Sequence, residues 1–197
     1  MFFVVKIGNR KLKIENAIIA DHIRLRPLTE ADMILKVKWY NDPKVRKTLV
    51  IDEVFELEKT VKWFQTLEAN TSRADFIVES LAGDPIGITG LIDIDRKNKT
   101  AQCYCVIGEK DHWGKGLGTE IHSVLFQWGF ETFDIQKIWA HIRTNNPAIF
   151  RVVEKLGFKI EGTLRQDTIV DDQRIDLYHI GLLRDEFDPA HIHYEVV

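Results

Sequence analysis

The residues from Trp113 to Thr119 carry the strongest chemical signal in the chain. Gly114, Gly116 and Gly118 alternate with Lys115 and Leu117 just ahead of an amphipathic helical pattern. Glycines at that spacing permit positive φ and remove the Cβ atoms that would hold an anion away from the backbone. A helix opening there aims its unsatisfied N–H groups and the positive end of its dipole at the same point. The pattern predicts a pyrophosphate site, with Lys115 adding charge at its rim. A tight strand-to-helix turn needs glycine with or without a ligand, but three glycines at a helix start favour the phosphate reading. The dinucleotide fingerprint fits less well, because Thr119 stands where its third glycine belongs and the preceding strands read as a meander. The spacing and Lys-Ser/Thr end of a P-loop are absent.

Other residues are candidates for proton and ligand chemistry. Asn146, before Pro147, is a natural N-cap, and its amide at a strand's carboxyl end also suits an amide-bearing ligand tail. His141 lies on a strand expected at 137–142, and an imidazole titrates in the range a general base needs. A lone strand histidine is more often a packed or surface residue. Asp93, Asp176 and Tyr104 are rivals without geometry to rank them. Cys103 and Cys105 sit two apart on one strand face, too close along an extended backbone for an easy disulfide, and are expected as buried thiols. No metal site is expected: neither the cysteines nor His191 and His193, read as part of a solvated tail at 188–197, carry a full ligand set.

These residues must be positioned by an α/β fold with a mixed sheet. A short hairpin is expected over 2–14, turning at Gly8-Asn9, with residues 1–21 as an embellishment, and then a strand at 22–26. Thr29 and Asp32 resemble a capping box opening a helix with Met33, Val37 and Tyr40 on one side, ending at Asp42-Pro43. A second helix is expected over 56–69, with Leu57, Val61 and Phe64 buried. Runs at 75–81, 86–94 and 100–107 read as an antiparallel meander. After the glycine turn, Ile121, Val124, Leu125 and Trp128 mark a helix packed on the sheet. A strand at 137–142 and a helix at 147–156 follow, the latter with Ile149, Val152, Val153 and Leu156 as its stripe. A hairpin of 158–169 and 174–183 closes the fold.

With 197 residues, 45% hydrophobic and 29% charged, the chain is sized for one domain and too apolar for disorder. Its net charge of -3 offers no global attraction to a phosphate backbone, so nucleic acid is not expected as a partner. No apolar stretch approaches a membrane span or a signal core, which predicts a cytoplasmic protein with no membrane partner.

Four stretches, Arg24 to Asp32, Trp113 to Glu120, Asn146-Pro-Ala148 with Glu154 to Phe158, and Glu161 to Arg165, resemble the GNAT superfamily of N-acetyltransferases. Within it, they are similar to the ribosomal-protein N-terminal acetyltransferases and their spermidine- and amino-sugar-modifying relatives. The resemblance implies a mostly antiparallel sheet with helices on both faces and a splayed parallel strand pair holding acetyl-CoA. It places the pyrophosphate on the backbone of Gly114 to Thr119 beside Trp113, the pantetheine along Val106 and Ile107, and the arm's far end at Asn146. His141 becomes the expected base beside that cleft, Tyr104 an alternative proton donor, and Trp39 and Tyr40 a wall of the acceptor pocket. Ile149 and Val153 depart from the family: each stands where relatives carry a hydroxyl able to protonate the leaving thiolate. The implied activity is direct acetyl transfer to a primary amine: a protein N-terminus, as on a ribosomal protein, a polyamine or an amino sugar. A non-catalytic acyl-CoA-binding module is the alternative. The chain is expected as a monomer or homodimer.

Overall fold

The computed structural model describes residues 3–7, 10–14, 16–188 and 193–197. A hairpin of β1 (Phe3–Ile7) and β2 (Arg10–Ile14) forms, among the described residues, a two-stranded sheet of its own, and its expected turn at Gly8-Asn9 lies outside the described residues. The central sheet comprises β3 (Ile18–Ala20), β4 (Ile23–Pro27), β5 (Ala74–Ser80), β6 (Pro85–Asp95), β7 (Thr100–Ile107), β8 (Lys137–Arg143), β9 (Lys159–Val170), β10 (Gln173–Leu183) and β11 (Tyr194–Val196). Their order is β11-β3-β4-β5-β6-β7-β8-β10-β9. Every pairing is antiparallel except β7 with β8.

The expected meander, crossover strand and closing hairpin are all present. Two short strands exceed the expectation. Ile18–Ala20 falls within the stretch read as an embellishment, and Tyr194–Val196 within the stretch read as a solvated tail, yet they pair with each other at the sheet edge. Neither has the length to show a strand periodicity, and each is held by a partner far away in sequence. His193 is exposed, whereas His191 lies outside the described residues.

Helices cover the two faces of the sheet. On one face, α4 (Leu117–Phe133) buries the anticipated Ile121, Val124, Leu125 and Trp128, and α5 (Pro147–Lys155) adds Ile149, Val152 and Val153 to the same core. On the other face, α1 (Met33–Asn41) and α3 (Leu57–Thr66) pack over Ile77, Ile88 and Val106, with the single turn α2 (Pro43–Arg46) between them.

The Thr29–Asp32 capping box is formed, and Asp32 also accepts both ends of the Arg26 guanidinium at 2.7 Å. The buried side of α1 differs from expectation: Met33, Lys36, Trp39 and Tyr40 are buried and Val37 is half-buried. Lys36 turns inward because three rings receive its ammonium, Trp63 at 4.0 Å, Tyr40 at 4.7 Å and Phe55 at 5.6 Å. Such a box stabilises a desolvated cation through the rings' negative faces. Likewise α3 buries Thr60 and Phe64 and leaves Leu57 45% exposed, the reverse of the amphipathic reading at that end. Among the described residues no helix is long and apolar enough to cross a membrane.

Candidate active site

The sheet is incomplete in one place. β7 and β8 pair only through Thr100–Lys137, Ala101–Ile138 and Gln102–Trp139. Beyond these, β7 continues paired with β6 as far as Ile107, and β8 with β10 as far as Arg143. Residues 103–107 and 140–143 therefore present backbone edges toward each other without forming a ladder. Unpaired edges inside a sheet are costly unless another group supplies the hydrogen bonds. An extended, amide-bearing chain is chemically suited to do so.

The glycine turn stands at the head of this gap. Gly114 and Gly116 have φ of +74° and +82°, conformations that glycine alone adopts without penalty, and a Cβ on either would meet no protein atom within 4 Å. Gly118 does not use that freedom: it is helical, and its missing side chain faces Val152 of α5. Gly116 caps α4, whose hydrogen-bonding starts with the Thr119 amide, so among the described residues the amides of Leu117 and Gly118 have no protein acceptor. The positive helix end and open space over two glycines fit a pyrophosphate. Lys115 is exposed beside them. The Trp113 indole donates to the Ile107 carbonyl at 2.8 Å and fixes the turn to the end of β7. Asn146 occupies the N-cap of α5 but makes no side-chain capping bond, which leaves its amide for another partner.

Trp39 and Tyr40 do not form an open wall. Trp39 is 1% exposed, lies flat against Gly108 where a Cβ would come within 2.0 Å of its ring, and donates to Glu109 at 2.8 Å. Tyr40 is 4% exposed and packs against Phe55, ring centroids 4.7 Å apart and the planes tilted by 56°. Burial pushes its hydroxyl well above the usual tyrosine range. Both residues support the end of β7 from beneath α1. Tyr104 is unsuited to giving up a proton: its hydroxyl donates to Asp75 at 2.6 Å, and Asp75 is in turn held by Arg73 at 2.7 Å through two nitrogens. Burial first, and then the Asp75 charge, raise its pKa far above the ordinary value.

His141 stands two residues past the last β7–β8 pair, on the sheet face opposite Ile138, Ala140 and Ile142, which enter the α4 core. Its Nε2 is 3.0 Å from Nδ1 of His179, directly opposite on β10. His179 Nε2 is 3.4 Å from Glu161 Oε2, which also accepts from Lys137 at 2.6 Å. Burial, and then the neighbouring imidazole, lower the His141 pKa, while Asp167 opposes them. The ring is therefore neutral and able to take a proton near neutrality. The rivals serve structure: Asp176 accepts from the Gln166 amide at 2.7 Å, and Asp93 has a left-handed backbone at a bulge of β6.

A strap between α2 and α3 reaches across to the β8 side of the cleft. Buried Arg143 donates to the carbonyls of Lys47 and Leu49, Thr168 donates to Val50, and Asn41 exchanges two bonds with the Phe55 backbone. Sequence reading missed Arg143, His179, Glu161 and Lys36. A strand arginine or histidine has no signature until its partners, here far apart in sequence, are brought together. On the α1 side, Asp32, Asp42 and Asp52 are engaged by Arg26, Lys110 and Arg46. Among the described residues no group of three or more His, Cys, Asp or Glu side chains is placed to hold a metal, and both cysteines are free thiols.

This combination of a capped glycine turn and a splayed parallel pair defines an acyltransferase of the acetyl-CoA-using kind. The chain belongs to the GNAT acetyltransferase family, whose domain matches residues 22–159. It is 27% identical over 172 residues to an uncharacterized N-acetyltransferase, p20, of Bacillus licheniformis, covering 85% of this chain and 96% of the relative. It is 24% identical over 149 residues to spermidine N(1)-acetyltransferase of Vibrio cholerae serotype O1, covering 76% and 80% respectively. In fold it resembles the crystal structure of spermidine N-acetyltransferase from Vibrio cholerae in complex with CoA and spermine, with a TM-score of 0.79 at 20% identity, covering 83% of this chain and 96% of that one. The protein is accordingly an N-acetyltransferase with acetyl-CoA as donor.

Proposed function

We propose that the chain acetylates a small cationic primary amine of the polyamine kind, with the donor in the β7–β8 gap and His141 as the proton acceptor. The observation that carries this reading is the gap itself. It opens two strand edges to an amide-bearing arm, at one end under the glycine turn and at the other beside His141. Leu117 and Gly118 amides and the α4 dipole would hold the pyrophosphate, and the free Asn146 amide the arm. Acetyl-CoA supplies an activated acyl group. The protein's contribution is to hold an amine at attack distance in a site where one lone pair awaits its proton. As the amine nitrogen bonds to the carbonyl carbon, His141 takes a proton from it, and the C–S bond breaks. Ile149 and Val153 offer no hydroxyl, so solvent protonates the departing thiolate.

The polyamine choice rests on the spermidine-acetylating relatives and on the exposed carboxylate Asp167, whose charge acts on His141. The test is release of free thiol from acetyl-CoA with polyamines, amino sugars and N-terminal peptides as separate acceptors. Spermidine or spermine turning over at least tenfold more efficiently than the other classes is the expected result. Preference for a peptide N-terminus would refute the polyamine reading and keep the transferase one.

A further inference from the structure

We propose that His179 and Glu161 are positioning residues that extend His141 into a relay, fixing which nitrogen of His141 is basic and carrying off the proton it receives. The proposal rests on the reading of His141 as the base of an amine acetyltransferase. Two imidazoles sharing one hydrogen bond at 3.0 Å require a proton on one facing nitrogen and a lone pair on the other. The carboxylate decides which. Glu161 Oε2 lies 3.4 Å from His179 Nε2, where it attracts an N–H and repels a lone pair. Neutral His179 therefore carries its proton on Nε2 and offers its Nδ1 lone pair to His141. His141 then holds its proton on Nε2, and its Nδ1 is left as the free base.

The carboxylate is itself fixed. Lys137 bonds Oε2 at 2.6 Å, and the group lies over Gly181, where a Cβ would come within 2.5 Å of Oε1. Trp139 rests against both imidazoles, with ring centroids 5.2 Å from His141 and 5.3 Å from His179. The charge of Asp167 on β9 also acts on His141, favouring its protonated form. The proton count closes. One proton passes from the amine nitrogen to His141 Nδ1 as the C–N bond forms. The Nε2 proton of His141 moves to His179 Nδ1, leaving His141 neutral and His179 a cation beside Glu161. His179 is 31% and Glu161 34% exposed, so its Nε2 proton then leaves to water. The resting tautomers return by one further exchange, in which His141 Nδ1 gives its proton to solvent, His179 Nδ1 passes its proton back to His141 Nε2 and His179 Nε2 regains one from water.

The test combines kinetics with ¹⁵N imidazole NMR of the full chain. Glu161→Gln keeps size and loses charge, and its exposure makes a folding defect small. It should lower kcat roughly 10- to 100-fold, the usual loss when a group orienting a functional histidine is removed, and leave the dissociation constant for coenzyme A unchanged. The acidic limb of its pH profile should move to lower pH, because a lost carboxylate makes the imidazole pair harder to protonate. His179→Phe, which keeps a ring against Trp139, should lower kcat to a similar extent, but without the move of the acidic limb to lower pH, because the imidazole it removes is one that lowers the His141 pKa. Neither change should reduce activity further on top of His141→Ala. In the wild type, NMR should find His179 protonated on Nε2 and His141 Nδ1 bare. Unchanged kcat and pH profile in both single variants, or the opposite tautomers, would overturn the relay while leaving the transferase intact. Coenzyme A binding without transfer to any amine would overturn the function, and the relay's role with it.

Discussion

Gly116→Ala separates a turn that needs glycine from a turn that binds phosphate. The backbone at Gly116 sits at φ +82°, where an L-residue costs about 1–2 kcal/mol. A new Cβ would touch no protein atom within 4 Å, so no steric cost adds to this. For a chain of this size each kcal/mol lowers Tm by about 2–4 °C, which predicts a fall of roughly 2–8 °C. The same methyl would stand in the open space above the free Leu117 and Gly118 amides. A charge-assisted hydrogen bond contributes about 1.5–3 kcal/mol, so loss of even one to the pyrophosphate weakens coenzyme A binding roughly 10- to 150-fold. Gly118→Ala is the control: its φ is not positive, and its methyl would meet Val152 at an ordinary 3.7 Å. It should leave Tm unchanged or slightly raised. Calorimetric titration with coenzyme A and thermal unfolding read the two quantities. A Gly116→Ala protein that loses stability as expected but binds with unaltered affinity would refute the phosphate assignment.

Three further outcomes follow from the site and its supports. Buried His122 donates from Nδ1 to the Gly118 carbonyl at 2.7 Å, and burial lowers its pKa. The unfolded chain thus binds the proton more readily, so His122's contribution is whole above the unfolded value of about 6.5 and declines as pH falls below it; Tm between pH 7 and 5 should drop less in His122→Gln. Arg143→Met strands the carbonyls of Lys47 and Leu49; it should cost about 1–3 kcal/mol in urea unfolding and speed hydrogen exchange over residues 47–52. Trp113→Phe removes the bond to the Ile107 carbonyl and should weaken coenzyme A binding several-fold with little change in Tm, since the indole is 38% exposed.

Long periodic elements and the glycine turn were legible because their signals are local. The α4 stripe needs only its own seventeen residues, and the α5 boundaries only Asn146-Pro147 and Gly157. The strands Ile18–Ala20 and Tyr194–Val196 were not legible, since each is three residues long and stabilised by the other. The same reason hid half of the surroundings of the proposed base. His141 has a chemistry readable from its type, whereas His179 and Glu161 acquire theirs only from the pairing of β8, β10 and β9. Trp39 and Tyr40 were misread because an aromatic at a helix end looks alike in sequence whether it faces a ligand or, like Trp39, a glycine of the adjoining strand.

The three-residue seam between β7 and β8 divides the sheet into unequal leaves, β11 through β7 on one side and β8, β10 and β9 on the other. Among the described residues that seam, α4, α5 and the strap bonded to Arg143 and Thr168 tie the leaves together. A donor lying in the gap would be a temporary strand, bonding to both leaves and stiffening their mutual orientation. Mechanical continuity of the sheet would then follow the catalytic cycle. It would be greatest while the donor or spent coenzyme A lies in the gap and least after coenzyme A departs, so that the smaller leaf, with His141 on its first strand, would be held in place only while the gap is filled.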